Sequence, residues 1–208
     1  MVKEFKGYIW LNPVVKSCYK SEDISKYLEH YKFIEVFPEE NHIAKVKKRY
    51  LELSHTDRHI LDSRCPLIVE NFNFKNFKVA DADPILISTA KELSKRDDLK
   101  DKTKYIITPC SSLSRLGSSL KLKNTIFMTF DEFRDKYPYK LKTNIPPHTP
   151  VPFGFFKDLN LKTISIHSDS KTNESDLKDV RIIEGLYCNG SCHNGDGVKC
   201  IKEDYSEY

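Results

Sequence analysis

Long apolar runs and a basic arm are missing from this chain of 208 residues, and no export-type leader is expected. No stretch approaches the roughly 20 apolar residues that a membrane span requires. Met1-Val-Lys-Glu-Phe-Lys leads into no apolar core of the kind a signal segment carries. Lysines and acids alternate and leave a net charge of only +4, so neither nucleic acid nor a membrane is an expected partner. These absences predict a cytoplasmic protein. No internal repeat is visible, and glycine is scarce at 7 residues, so where glycines crowd together they carry information. Hydrophobic residues at 39% and charged residues at 31% describe an ordinary folded chain, not a disordered one. Its length suffices to bury a sizeable core, as one large domain or two small lobes.

Strands and helices alternate along the sequence. Residues 7–15 read as a short strand stopped by Pro13, and Ser21, Glu22 and Asp23 mark a helix start. Ile24, Tyr27, Leu28 and Tyr31 give that helix its apolar face. Phe33 to Phe37 reads as a strand. Residues 39–55 read as a helix with Ile43, Val46, Tyr50, Leu51 and Leu53 turned inward. Residues 60–69 form an apolar stretch broken by a polar loop, and Phe72, Phe74 and Phe77 are expected to pack between lobes. A helix follows Asp83-Pro84. Strands are expected at 104–108 and 125–129, with 111–119 a serine-rich loop or helix start between them. Thr129 and Glu132 form a capping pattern for the next helix. Residues 144–156 are proline-rich and irregular, 161–167 suggests a strand, 168–179 is polar, and 180–184 is a last regular element. The alternation predicts an α/β fold, with mainly parallel sheets in two small lobes and a metal cluster in the crevice between them. The expected division is 1–59 as an N-terminal α/β part and 60–208 as the cluster-binding part, together one continuous compact domain.

The chemistry concentrates in cysteine. Six are present, and without an export signal metal binding or redox work is expected ahead of disulfides. Cys188 and Cys192 lie four apart in a loop that also holds Gly190, Gly195 and Gly197. Cys65 and Cys110 each follow a short apolar segment and sit in a loop beside a proline. In α/β folds the loops at strand carboxyl ends converge on one crevice. Four thiolates gathered there suit an iron–sulfur cluster or a zinc ion, and spacing alone does not separate the two. Pro66 fits the first turn of a helix, which would set Cys65 at a helix N-terminus where the dipole favours a thiolate. Cys18 and Cys200 read as buried hydrophobes.

Three segments, in order, resemble the cluster-binding motifs of the catalytic domain of iron-only (iron–iron) hydrogenases. They are Ser63-Arg64-Cys65-Pro66, Thr108-Pro109-Cys110, and Glu184 through Gly197, whose pattern is Glu-x-x-x-Cys-x-Gly-x-Cys-x-x-Gly-x-Gly. Asp83-Pro84-Ile85 and Thr129 through Phe133 are similar to that family as well, so the likeness runs from about residue 60 to 197. The resemblance implies that Cys65, Cys110, Cys188 and Cys192 hold one 4Fe-4S cluster. It also implies that Glu184 hydrogen-bonds the motif backbone and that the glycines let backbone approach the cluster.

The departures fall on the catalytic half. Arg64 stands where the family has a proton-donating cysteine, and arginine does not release its proton. Leu113 stands where the family has a lysine that holds a diiron subsite. The span from Cys110 to Cys188 is 188 − 110 = 78 positions, shorter than in the hydrogenases. The expected protein therefore binds a cluster without hydrogen turnover, and transfers electrons or senses redox state or a small molecule. Its partner would be a redox protein or a small-molecule ligand. Alternatives are an enzyme whose cluster leaves one iron open to substrate, with Cys192 not ligating, and a structural zinc protein that mediates interactions. Arg64 either lends charge to the cluster or an anion, or pairs with Asp62 or Glu70. Ser111, Ser112 and Ser114 either donate to the cluster or cap a helix. Ser111 and Gly190, with Arg64 and Glu184, complete the expected cofactor-binding set. His193 is a candidate ligand or proton carrier, and His55 and His59 suit an exposed helix face.

Overall fold

A computed structural model of the chain describes residues 5–56, 59–144, 151 and 153–198. Cys200 and most of the proline-rich 144–156 stretch lie outside the described residues. Among the described residues, eight strands form two four-stranded sheets, and every ladder between them is parallel. Sheet one contains β1 (Gly7–Leu11), β2 (Phe33–Glu35), β5 (Lys104–Thr108) and β6 (Thr125–Thr129), in the order β2-β1-β5-β6. Sheet two contains β3 (His59–Leu61), β4 (Phe77–Val79), β7 (Thr163–Ile166) and β8 (Ile182–Gly185), in the order β4-β3-β8-β7. The chain visits sheet one, then sheet two, then each again. Sheet one thus takes two strands from the first 59 residues and two from the rest.

Parallel strands need crossovers; β7 and β8 are joined through a 3-10 turn, Glu174–Leu177, and the other connections run through helices. These helices are α1 (Pro13–Ser17), α2 (Ser21–His30), α3 (His42–Ser54), α4 (Pro66–Asn71), α5 (Ile85–Lys95), α6 (Ser111–Ser119) and α7 (Phe130–Lys136). Central β5 is buried along its whole length, as a strand covered on both faces must be. Its Lys104 is tolerated because Nζ donates to the carbonyls of Leu99 and Lys102, at 2.8 Å each. Aromatic packing fills one face of sheet one, where Tyr27, Phe33, Phe133 and Tyr137 meet edge to face or tilted. The capping box of α7 forms as expected: Thr129 N–H donates to Glu132 Oε2 at 2.7 Å and Glu132 N–H donates to Thr129 Oγ1 at 3.2 Å.

Several local readings change. Pro13 opens α1 with Asn12 as its cap, so it starts a helix as well as ending a strand. Ser21 is the first helical residue of α2 and its side chain does not cap. Ile43 is 53% exposed and Leu51 37% exposed, because α3 turns Val46 and Tyr50 inward instead. Phe72, Phe74 and Phe77 pack with Leu61, Ile68 and Ile183 on sheet two, not between lobes. β4 is so short and lysine-containing that alternation did not mark it. Cys18 is wholly buried in the aromatic core, as expected for a structural thiol. Among the described residues, no helix is long and apolar enough to cross a membrane.

Candidate metal centre

The loops leaving β3, β5 and β8 carry the four cysteines. β3 and β8 are neighbours in sheet two and β5 is central in sheet one, so their carboxyl ends bring residues of both sheets together. Cys65, Cys110, Cys188 and Cys192 line one small cavity of about 30 Å³, with Leu113 as part of its apolar wall. Residues from three separated segments thus meet. Cys65 precedes Pro66, the first residue of α4, and Cys110 is the extended residue before α6. Cys188 and Cys192 face inward across a turn closed by Ser191 N–H to the Cys188 carbonyl and Gly195 N–H to the Cys192 carbonyl, 3.0 Å each.

That turn is strained. Gly190 has φ +74°, which glycine adopts freely, but buried Ser191 has φ +89° and ψ −176°, a region almost reserved for glycine. Gly195 is required for a different reason. A Cβ there would overlap the Pro109 carbonyl oxygen, and one on Gly197 would meet the Thr129 side chain. Gly195 itself borders the cavity, yet what it accommodates is the neighbouring cysteine-proline loop. Gly195 and Gly197 thus let the glycine loop pack against Pro109 and Thr129.

Burial pushes every one of these thiols up. Cys110 rises to about 12 and Cys188 to about 11, with the neighbouring thiols and Asp196 adding to the burial. Cys192 rises from burial and its three sister thiols, against a smaller opposing pull from Arg64. Cys65 also rises, because burial outweighs the backbone N–H groups of Tyr187, Ile68 and Leu67 that favour its thiolate. The expected dipole effect on Cys65 is therefore outweighed. Four thiolates here require a cation among them, and a metal centre supplies one by displacing the protons.

Sulfur spacing bears on which metal. Zinc–sulfur bonds of about 2.3 Å in a tetrahedron put sulfurs roughly 3.8 Å apart. Among the described residues, no three of these thiols lie mutually within 4.8 Å. The sulfurs are thus spread wider than one ion holds them. The void is in turn smaller than a four-iron cluster, so accommodating one means moving the thiol-bearing walls outward.

Arg64 is no surface residue. It is 7% exposed, with Nε and Nη2 on Asp62 at 2.8–3.1 Å and Nη2 on Glu184 Oε1 at 2.9 Å. Its guanidinium lies 4.0 Å from the Phe155 ring centre and 4.7 Å from that of Phe156. Burial alone would lower its pKa, but Asp62 and Glu184 outweigh it and hold the charge in place. Tyr50 Oη also donates to Asp62, at 2.7 Å. Glu184 is fully buried and accepts from Gly154 N–H at 2.7 Å and Phe155 N–H at 3.0 Å. Its backbone partners lie in the loop before β7 and not in the cysteine motif it precedes. Glu184, Ser111 and Gly190 stand outside the cavity wall. Ser111 instead donates from its N–H and Oγ to Asp196, at 2.8 and 2.5 Å, tying α6 to the glycine loop. His193 stands beside Cys192, with Nδ1 buried and without a partner.

Tyr187 and Phe155 carry no sequence signal that marks them for the site, whereas Ser112 is one of three candidate serines and Asp62 one of two candidate partners of Arg64. Ser112 was hidden among three similar serines, and only the phase of α6 selects it. A second candidate metal-binding group, Glu40, His42 and Glu92, lies on α3 and α5 and the turn before α3. Its Glu92 carboxylate already accepts from Glu39 N–H at 2.7 Å and contacts His42 Nε2 at 2.6 Å, which accounts for it as a helix-joining bond set. Neither a family model, nor a curated protein, nor a solved structure matches the chain.

Proposed function

We propose that this protein binds an iron–sulfur cluster of the 4Fe-4S type through Cys65, Cys110, Cys188 and Cys192, and works in electron transfer or redox sensing without turning over hydrogen. One observation carries the reading: four cysteines from three distant segments, chosen by motif, line one cavity at the strand ends of two sheets. When bound, such a cluster supplies one-electron redox chemistry. The chain's own residues hold it, exclude water with Leu113 and Tyr187, and set its electrostatics. The resemblance to iron-only hydrogenases supports the same ligand set. Arg64, locked into an ion triad, and apolar Leu113 stand where that family has its proton donor and diiron-holding lysine, which supports the absence of hydrogen chemistry.

The test is anaerobic isolation with iron and acid-labile sulfide analysis and electron paramagnetic resonance. Iron and sulfide near four each per chain, with visible absorption bleached by dithionite, are expected. Stoichiometric zinc without sulfide would overturn the proposal.

A further inference from the structure

Two polar atoms at the cavity have nothing to bond. Arg64 Nη1 and Ser112 Oγ are both fully shielded from solvent and neither has a hydrogen-bond partner. Arg64 is 7% exposed and Ser112 3% exposed, and both residues line the cysteine cavity. Unsatisfied buried donors are costly and rare in folded proteins. A charged donor is the less tolerable of the two. Arg64 cannot turn away to relieve it, because Asp62 and Glu184 clamp Nε and Nη2 while Phe155 and Phe156 lie against the guanidinium. The planar fork therefore fixes where Nη1 sits. Sulfur accepts hydrogen bonds at distances up to about 4.0 Å, yet neither donor reaches a cysteine in place. The missing acceptor is then something other than the four thiols as they stand.

A bare metal ion offers no acceptor. A cluster does, because its inorganic sulfides are exposed between the thiolates. We infer that Arg64 and Ser112 donate hydrogen bonds to the sulfides of the bound cluster and thereby raise its reduction potential, an inference that rests on the function proposed above. One-electron reduction adds one negative charge to the cluster, and donors aimed at sulfide stabilise that extra charge. Arg64 adds a fixed positive charge to the hydrogen bond, so it carries the larger share. The two residues are positioning and tuning groups, not ligands.

The experiment is a dithionite titration followed by electron paramagnetic resonance, with dithionite supplying the electron, on wild type, Ser112→Ala and Arg64→Lys. Iron and sulfide are counted in each sample first. Ser112→Ala removes a single hydroxyl from the second residue of α6 and leaves the helix intact. Arg64→Lys keeps a cation for Asp62 and Glu184 but has no second fork nitrogen. The midpoint potential is expected to fall in both variants, further in Arg64→Lys. Should Arg64→Lys fail to fold, Ser112→Ala alone still decides. Loaded Ser112→Ala with the wild-type potential would overturn the inference and leave the cluster assignment standing. Zinc without sulfide in the wild type would overturn both.

Discussion

Two cavities sit near the carboxyl ends of the sheet-one strands, and they differ in chemistry more than in place. The larger, about 880 Å³, lies beyond β1 and β2 and is walled by residues such as Trp10, Ile24, Phe37 and Leu86. Several of its polar groups are already engaged: Asn12 Oδ1 accepts from Val14 N–H, Asn41 Oδ1 from Ala44 N–H, Lys16 pairs with Glu35 and His42 with Glu92. The smaller cavity, about 30 Å³, gathers four thiols that burial pushes up and two donors that lack acceptors. Volume alone would choose the first. Unsatisfied chemistry chooses the second, and Phe155 links the two by bordering the larger cavity while lying against Arg64.

The largest effect is expected where the small cavity is braced. Glu184→Ala leaves the buried Arg64 half-paired and strips the acceptor from Gly154 and Phe155 N–H. Breaking a buried ion set costs about 3–5 kcal/mol, so urea unfolding of the metal-free protein should show a loss of unfolding free energy of that size. A loss under 1 kcal/mol would mean that the triad does not brace the site. Next come the cysteines themselves. Cys110→Ala should remove most of the iron, whereas Cys18→Ala, in the aromatic core, should keep it and lose stability through a small packing defect. Equal iron in the two variants would erase the distinction between site thiols and core thiols.

Glycine geometry gives a smaller, two-signed pair. Gly195→Ala drives a Cβ onto the Pro109 carbonyl and should cost about 1–3 kcal/mol. Ser191→Gly relieves a backbone conformation that costs on the order of 1–3 kcal/mol and should stabilise the metal-free chain. Thermal unfolding checks both. Stabilisation by Gly195→Ala or destabilisation by Ser191→Gly would show that the loop packs differently.

The contrast also explains what was legible in the sequence. Cys65, Cys110, Cys188 and Cys192 could be grouped because metal ligands need fixed residue types, and such types stand out one at a time. The parallel α/β class followed from alternation of apolar runs with capped helices such as Thr129–Lys136. The partners of Arg64 were legible only by half. Asp62 is two residues away and was named as a partner, but Glu184 is 120 residues distant and reaches Arg64 only because β3 and β8 are adjacent. Ser112 was legible only as one of three candidate serines, since serines in one turn differ only in helical phase. The larger cavity had no local signature at all, being made where α1, α3 and α5 fail to close over β1.

The smallest effect is expected at the rim of that larger cavity. Glu40 borders it and is held below the ordinary glutamate value, chiefly by its hydrogen bond from Lys45, at 2.5 Å. A carboxylate whose folded pKa is depressed adds stability above its unfolded value, about 4.3, and loses it as pH falls through the lower folded value. The contribution therefore belongs to neutral pH and fades below about 4. Because Glu40 is solvent-exposed, it is screened by salt and amounts to little. Lys45→Met should return the Glu40 titration, followed by carboxyl carbon NMR, toward the ordinary value and leave iron content unchanged. A change in iron content would couple the rim to the cysteine site across Phe155, and the two cavities would then have to be read as one functional unit.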